Sequence, residues 1–304
     1  MATRARETQP RAPGVRWGCM TVVSLRCALL FAMVLVGVGC ASAAPLPARA
    51  VELNAAGARA IADGQLEVAE ARLSVALEYN PRFVEAWVNL GYVELARKRY
   101  EAARADFTRA RELNQDLPAP HHALGVLAED EGRGADAEAF YRAALKVDPG
   151  FAPARANLGR RLFARLRFDE AREEYARLVE VAPDDVEGWV GEAESLRRLG
   201  READAEAVVA RACERFGESP ELRLLLGREA AERGDWRDAE ETLGPVAGGR
   251  DRARASAAWS WIAIARIGAG DTAGAGEAVR AALSIDRGDR VARYAQRLLA
   301  RVTQ

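Results

Sequence analysis

The sequence predicts an all-α, right-handed superhelical solenoid of about seven helical pairs, closed at its C-terminal end by one further helix. Three observations carry this. Gly57, Gly91, Gly125, Gly159, Ala193 and Gly227 follow one another at intervals of 34 residues. Ala69, Ala103, Ala137, Ala171, Ala205 and Ala239 do the same, and a seventh unit keeps both marks at Ala263 and Ala275 after a two-residue insertion near "GPVAGGRDRA". Within each unit the apolar residues fall into two runs of helical spacing split by a short polar turn. A period of this length signals stacked supersecondary units, none of which can bury its apolar face alone.

The second unit, "WVNLGYVELARKRYEAARADFTRARELN", shows the design. Trp87, Leu90, Gly91 and Leu95 share one helical face; Tyr100, Ala103, Phe107 and Ala110 share the face of a second helix. Gly91 and Ala103 are small where two backbones must approach closely. Short turns separate the helices, "RKR" here, "EGR" at 131–133, "RLG" at 198–200 and "ERGD" at 232–235. Pro81, Pro149 and Pro183 end the second helix of their units, because proline cannot continue a helix. Acidic pairs such as Asp184-Asp185 follow such a stop and suit the start of the next helix.

These marks resemble the tetratricopeptide repeat from residue 50 to about 287. Unit three matches with Leu124-Gly125, Gly132, Ala137, Tyr141, Ala144 and Pro149, and unit four with Leu158-Gly159, Phe168, Ala171, Tyr175 and Pro183. Departures occur at Glu94, where the family has Tyr, at Glu192-Ala193, which replaces a Leu-Gly pair, and at Arg223, where a large apolar residue is usual. The resemblance implies a non-enzymatic fold that positions protein ligands in a concave groove lined by the first helices. Carried onto this chain, the implied groove residues are Val88, Tyr92 and Leu95; His122, Val126 and Glu129; Arg160 and Phe163; Val190, Glu194 and Arg197 beside Arg198; and Leu224 and Arg228. Apolar and aromatic in units two to four and richer in arginine later, this lining suits an extended peptide or helix with hydrophobic anchors and some acidic groups. Members that grip a terminal carboxylate use groove lysines; the only lysines here, Lys98 and Lys146, fall in a turn and on a second helix.

After the last unit, Val291, Tyr294, Ala295, Leu298, Leu299 and Val302 form one apolar face over residues 288–304, opposite Arg290, Arg293 and Arg297. A terminal amphipathic helix of this kind covers the exposed end of a solenoid; the second reading is a helix lying on a membrane surface.

The first forty residues differ from the rest. Arg4, Arg6, Arg11, Arg16 and Arg26 precede the apolar run "CALLFAMVLVGVG" at 27–39, whose thirteen residues are too few to span a bilayer, which needs about 20. This is the pattern of an export signal, and Met20 opens a more compact version. Val38-Gly39-Cys40 resembles a bacterial lipoprotein cleavage box, with Gly37 where that family prefers Leu. The resemblance implies removal of residues 1–39, lipid on Cys40, and, with Ala41 following, an outer-membrane lipoprotein facing the periplasm. "ASA" at 41–43 offers a rival site that would release a soluble protein, and retention as an uncleaved anchor is the third option. Residues 40–50, with two prolines, read as a tether. Lipoprotein box and repeat array together resemble in layout the pilotin lipoproteins that help assemble the secretin of type IV pili; other envelope scaffolds share that layout.

Composition excludes several functions. Residues 1–39 hold five Arg and one Glu of the chain's 44 basic and 45 acidic residues, so cleavage leaves 39 and 44, a net charge of −5. Nucleic-acid binding needs a basic surface and is not expected. Cys19, Cys27, Cys40 and Cys213 are too few and too scattered for a disulfide framework or a zinc site, and Cys213 reads as a small core residue. His121 and His122 point about 100° apart on a helix, so no metal site is expected. No nucleophile elbow, phosphate loop or zinc-protease motif occurs, and neither an enzyme nor a cofactor is expected.

Overall fold

A computed structural model describes residues 46–217 and 219–303, and among these it contains fifteen α-helices and no strand. They are α1 (Ala48–Ala62), α2 (Leu66–Tyr79), α3 (Val84–Ala96), α4 (Tyr100–Leu113), α5 (Pro118–Asp130), α6 (Gly134–Val147), α7 (Ala152–Ala164), α8 (Phe168–Val181), α9 (Val186–Arg198), α10 (Glu202–Phe216), α11 (Pro220–Arg233), α12 (Trp236–Ala247), α13 (Arg252–Gly268), α14 (Thr272–Ile285) and α15 (Arg290–Val302). They form two compact units, one ending at Ala205 and one beginning at Glu206 inside α10. The expected leader, 1–39, and Cys40 lie outside the described residues. Helix α1 starts at Ala48 behind Pro47, where Ala-Arg-Ala is a favourable first turn.

In the first unit each second helix packs between its own first helix and the first helix of the next repeat, α2 between α1 and α3 and so on to α8 between α7 and α9. Glycine makes the close approach possible. A β-carbon on Gly91 would fall 2.4 Å from the Phe107 ring, and one on Gly57 2.6 Å from Leu73. Phe107, Leu73 and Tyr141 are fully buried, so these second helices each drive a large side chain onto bare backbone of the first.

The turns repeat as faithfully. The residue one or two after each first helix adopts a left-handed backbone: Gly64, Lys98, Gly132, Leu166, Gly200, Gly234 and Gly270. At Lys98 (φ 61°) and Leu166 (φ 64°) a side chain is present, which costs about 1–2 kcal/mol relative to glycine. Between repeats, Asn80, Asn114 and Asp148 accept the backbone N–H two residues on, at 2.8–2.9 Å, turns that the Asx side chain favours. Ala182 cannot do this; instead Asp185 accepts the Glu187 N–H at 3.0 Å and opens α9 as expected. A second link reaches back six residues. Trp87 and Trp189 donate their indole N–H to the carbonyls of Pro81 and Pro183, at 2.9 and 3.0 Å, and Arg155 does so to Pro149.

In the second unit α11 to α14 continue the pattern, with Gly227 against Leu243 and Gly268 against the Trp236 ring. As expected, α15 closes the core: Ala292 and Ala295 are fully buried, and Val291, Leu298 and Leu299 pack on α13 and α14. Val302, expected on that face, remains 53% exposed. Asp289 docks the helix. Its Oδ1 accepts the N–H groups of Val291 and Ala292, and its Oδ2 accepts the buried hydroxyls of Ser256 and Ser260, both at 2.9 Å. Cys213 is a free, half-buried thiol and not a core residue; burial and then the nearby Glu229 raise its pKa.

Candidate partner-binding face

The groove set separates into two groups. Leu95 is 1% exposed, and Val88, Val126 and Phe163 are also buried, all four in one core with Tyr141 and Tyr175. Leu95 is so enclosed that burial of apolar area already accounts for it. Tyr92, Glu129, Arg160 and Val190 stay partly open. Leu224 and Arg228 belong to the second unit, where Leu224 packs on the core and Arg228 lies 3.8 Å from Glu232. Arg197 lies 3.8 Å from Glu202 with 17% of its side chain exposed, and Glu194 is buried.

The open group belongs to a hydrogen-bonded row across four consecutive first helices, α3, α5, α7 and α9. Tyr92 Oη lies 3.3 Å from His122 Nδ1, and the Asn157 amide donates to His122 Nε2 at 2.8 Å. Arg160 donates to Asn157 Oδ1 at 2.5 Å and to Glu187 Oε1 at 2.9 Å. The guanidinium fixes the orientation of the row. It takes the Asn157 oxygen, which turns the amide nitrogen to His122. Nε2 must then accept, so Nδ1 carries the proton and donates to Tyr92. Burial, reinforced by the positive charge of Arg160, pushes the His122 pKa down to about 3, and the imidazole is neutral throughout the physiological range. With both ring nitrogens engaged, and with Tyr141 and Phe151 rings 5.8 and 5.7 Å away, His122 is a structural joint.

Asn89 extends the pattern toward the N-terminal end, donating to Asn54 Oδ1 at 2.8 Å between α3 and α1. Beside the row, Tyr141 donates to Glu129 Oε2 at 2.7 Å, and burial followed by the Glu129 charge raises the Tyr141 pKa well above its ordinary value. Sequence reasoning missed Asn54, Asn89, Asn157 and Glu187. A signal existed: Asn54 and Asn89, like His122 and Asn157, are 35 residues apart, close enough to the repeat length to place each pair on neighbouring first helices.

The face thus holds a rigid arrangement of amide, phenol and guanidinium groups at repeat spacing. Arg160 keeps 37% of its side chain exposed and has N–H donors beyond those used internally. Its surroundings are suited to gripping polar backbone or carboxylate groups.

Models of the tetratricopeptide repeat match residues 54–118, 128–191, 186–229 and 224–290. Protein FlbA of Caulobacter vibrioides is 34% identical over 125 residues, 40% of this chain; the match spans only 20% of that protein's length. A tetratricopeptide repeat protein from Parabacteroides merdae superposes with a TM-score of 0.63 at 16% identity, covering 84% of this chain and all of that one. Pseudomonas aeruginosa pilF gives 0.55 at 18% identity, covering 70% and 96%. At such identities the structural likeness establishes the fold. With repeat models matching most of its length and the interlocked helical pairs described above, the chain belongs to the tetratricopeptide repeat family.

Proposed function

We propose that this chain is a non-enzymatic scaffold of the cell envelope that binds a protein segment along the first helices of its first unit. The observation that carries this is the row from Tyr92 to Glu187, in which buried His122 and half-buried Asn157 hold Arg160 and Tyr92 at a partly open face. Such preorganisation lowers the ordering cost of binding, and Tyr and Arg dominate interface energetics. The partner is an extended or helical segment bearing carboxylates for Arg160 and apolar side chains for Tyr92 and Val190. Lipid on Cys40 holds the scaffold at the periplasmic face of the outer membrane. Its work there is to assist assembly of a pilus, secretion or motility complex, and the layout shared with pilotin lipoproteins makes a secretin the first partner to test.

The experiment is crosslinked capture from solubilised envelopes, with Tyr92→Ala/Arg160→Ala and Cys40→Ala compared with the parent protein. Capture of a secretin or pilus component that is lost in the groove variant supports the reading. Capture of wall enzymes keeps the scaffold and removes the pilus role. Acyl labelling that persists in Cys40→Ala removes the anchor and favours cleavage in "ASA" with release of a soluble adaptor.

A further inference from the structure

Helix α2 carries apolar side chains that its repeat does not require. Val68 and Val75 lie two turns apart on one line of the helix and are 40% and 37% exposed. With Leu53 of α1 and Ala71 they line a shallow groove between the first two helices, which Glu67 and Arg72 also border. Counting 34 residues on, units two to four hold Ala102 and Arg109, Asp136 and Ala143, and Glu170 and Arg177 at the same places. A second helix of this chain therefore packs equally well with charge or a bare methyl there. A terminal repeat ordinarily turns a polar face outward; this one turns out branched apolar groups.

The chain's connectivity says what they meet. The described residues begin at Leu46, itself 41% exposed, and five residues, 41–45, separate it from Cys40. Fully extended, the six steps from Cys40 to Leu46 reach about 20 Å at most. Leu73 of α2 packs on Gly57 of α1. Val75 is thus level with the middle of α1, about 10 Å along the helix from its start. Lipid on Cys40 would hold this groove close to the bilayer surface.

We infer that the α1–α2 groove rests on the phospholipid bilayer that holds the lipid of Cys40, with Val68 and Val75 in the headgroup layer. The inference rests on the anchor proposed above. The contact is shallow, at the depth where the apolar face of an interfacial helix sits. Arg72, exposed between the two valines, can reach a lipid phosphate, while Glu67 stays with Arg97 at 3.3 Å. A free protein partner would need an interface of roughly 1,000 Å² or more, which so few apolar side chains do not supply. For a tethered surface the requirement is smaller, because the anchor makes the encounter intramolecular. Contact through a second helix leaves the row on the first helices α3, α5, α7 and α9 open to its partner.

The test uses the full chain, purified after export, its acylation read by intact mass, and reconstituted in vesicles of phosphatidylethanolamine and phosphatidylglycerol. Benzoylphenylalanine replaces Val75 or, as a distant control, Val181 of α8, which is 43% exposed. Irradiation should give a phospholipid adduct from position 75 and none from position 181. Val68→Glu, which sets at this place the residue type that unit four has in Glu170, should abolish the adduct from position 75 with circular dichroism unchanged. A protein without acyl mass overturns both the anchor and this inference. An acylated protein that gives no lipid adduct from position 75, equal adducts from both positions, or an adduct indifferent to Val68→Glu overturns this inference alone. A protein–protein adduct from position 75 also overturns it and makes the groove a contact between copies of the chain.

Discussion

A β-carbon placed on Gly125 would sit 2.5 Å from the ring of Tyr141, sixteen residues on. The same step joins Gly57 to Leu73, Gly91 to Phe107 and Gly227 to Leu243. Where alanine holds the first position, at Ala263, the residue sixteen on is the smaller Val279. Volume is conserved across the pair, as close packing requires. Gly125→Ala should therefore cost about 2–3 kcal/mol through overpacking, and Tyr141→Val about 2–4 kcal/mol through a cavity. The double variant should cost at least about 1 kcal/mol less than their sum. Urea denaturation of the four proteins checks this, and strict additivity would refute the interlock.

Leu166 is 59% exposed and has φ 64° in a turn where five of the other six repeats use glycine. Leu166→Gly should raise stability by about 0.5–1 kcal/mol, the relief of left-handed strain less glycine's larger unfolded entropy. Lys98→Gly should gain less, because Lys98 also holds Asp130 at 2.8 Å, an exposed pair worth about 0–1 kcal/mol. Thermal melting reads both.

Burial, then the nearby Glu94, pushes the Asp106 carboxyl up to about 7 from 3.8. A raised carboxyl pKa means that the folded state holds the proton more tightly than the unfolded chain. Its stabilising effect is complete below pH 3.8 and is lost as pH rises to 7. Asp106→Asn should thus be more stable than the parent above pH 7, by on the order of 1 kcal/mol or more, with the gap closing toward pH 4. A gap independent of pH would contradict this environment for Asp106.

Asp289→Ala removes the N-cap of α15 and the charged acceptor of the Ser256 and Ser260 hydroxyls, which keep only the carbonyls of Ala282 and Ser256. Stability should fall by about 2–3 kcal/mol, and hydrogen exchange should accelerate first across residues 291–302.

The repeat was legible because its marks are backbone requirements: a glycine where a ring presses on a helix, a proline where a helix stops. The binding face was less so. Successive helical residues turn by 100°, so a one-residue difference in register separates an open side chain from a buried one. Leu95 falls on the buried side while Tyr92, three residues earlier, stays half open. Asn157 and Glu187 carry no apolar pattern and become visible only when neighbouring repeats are laid together. The boundary at 205/206 left no trace, since Ala205 is itself one of the 34-residue marks.

The central claim is that a protein partner lies along the row from Tyr92 to Arg160. Its most direct test is photocrosslinking with benzoylphenylalanine in place of Tyr92, and separately in place of Tyr79, which is 54% exposed on α2. The account predicts a specific adduct from position 92 that disappears with Arg160→Ala, and none from position 79. An adduct from position 79 alone, or one from position 92 indifferent to Arg160, would place the partner elsewhere and contradict the account.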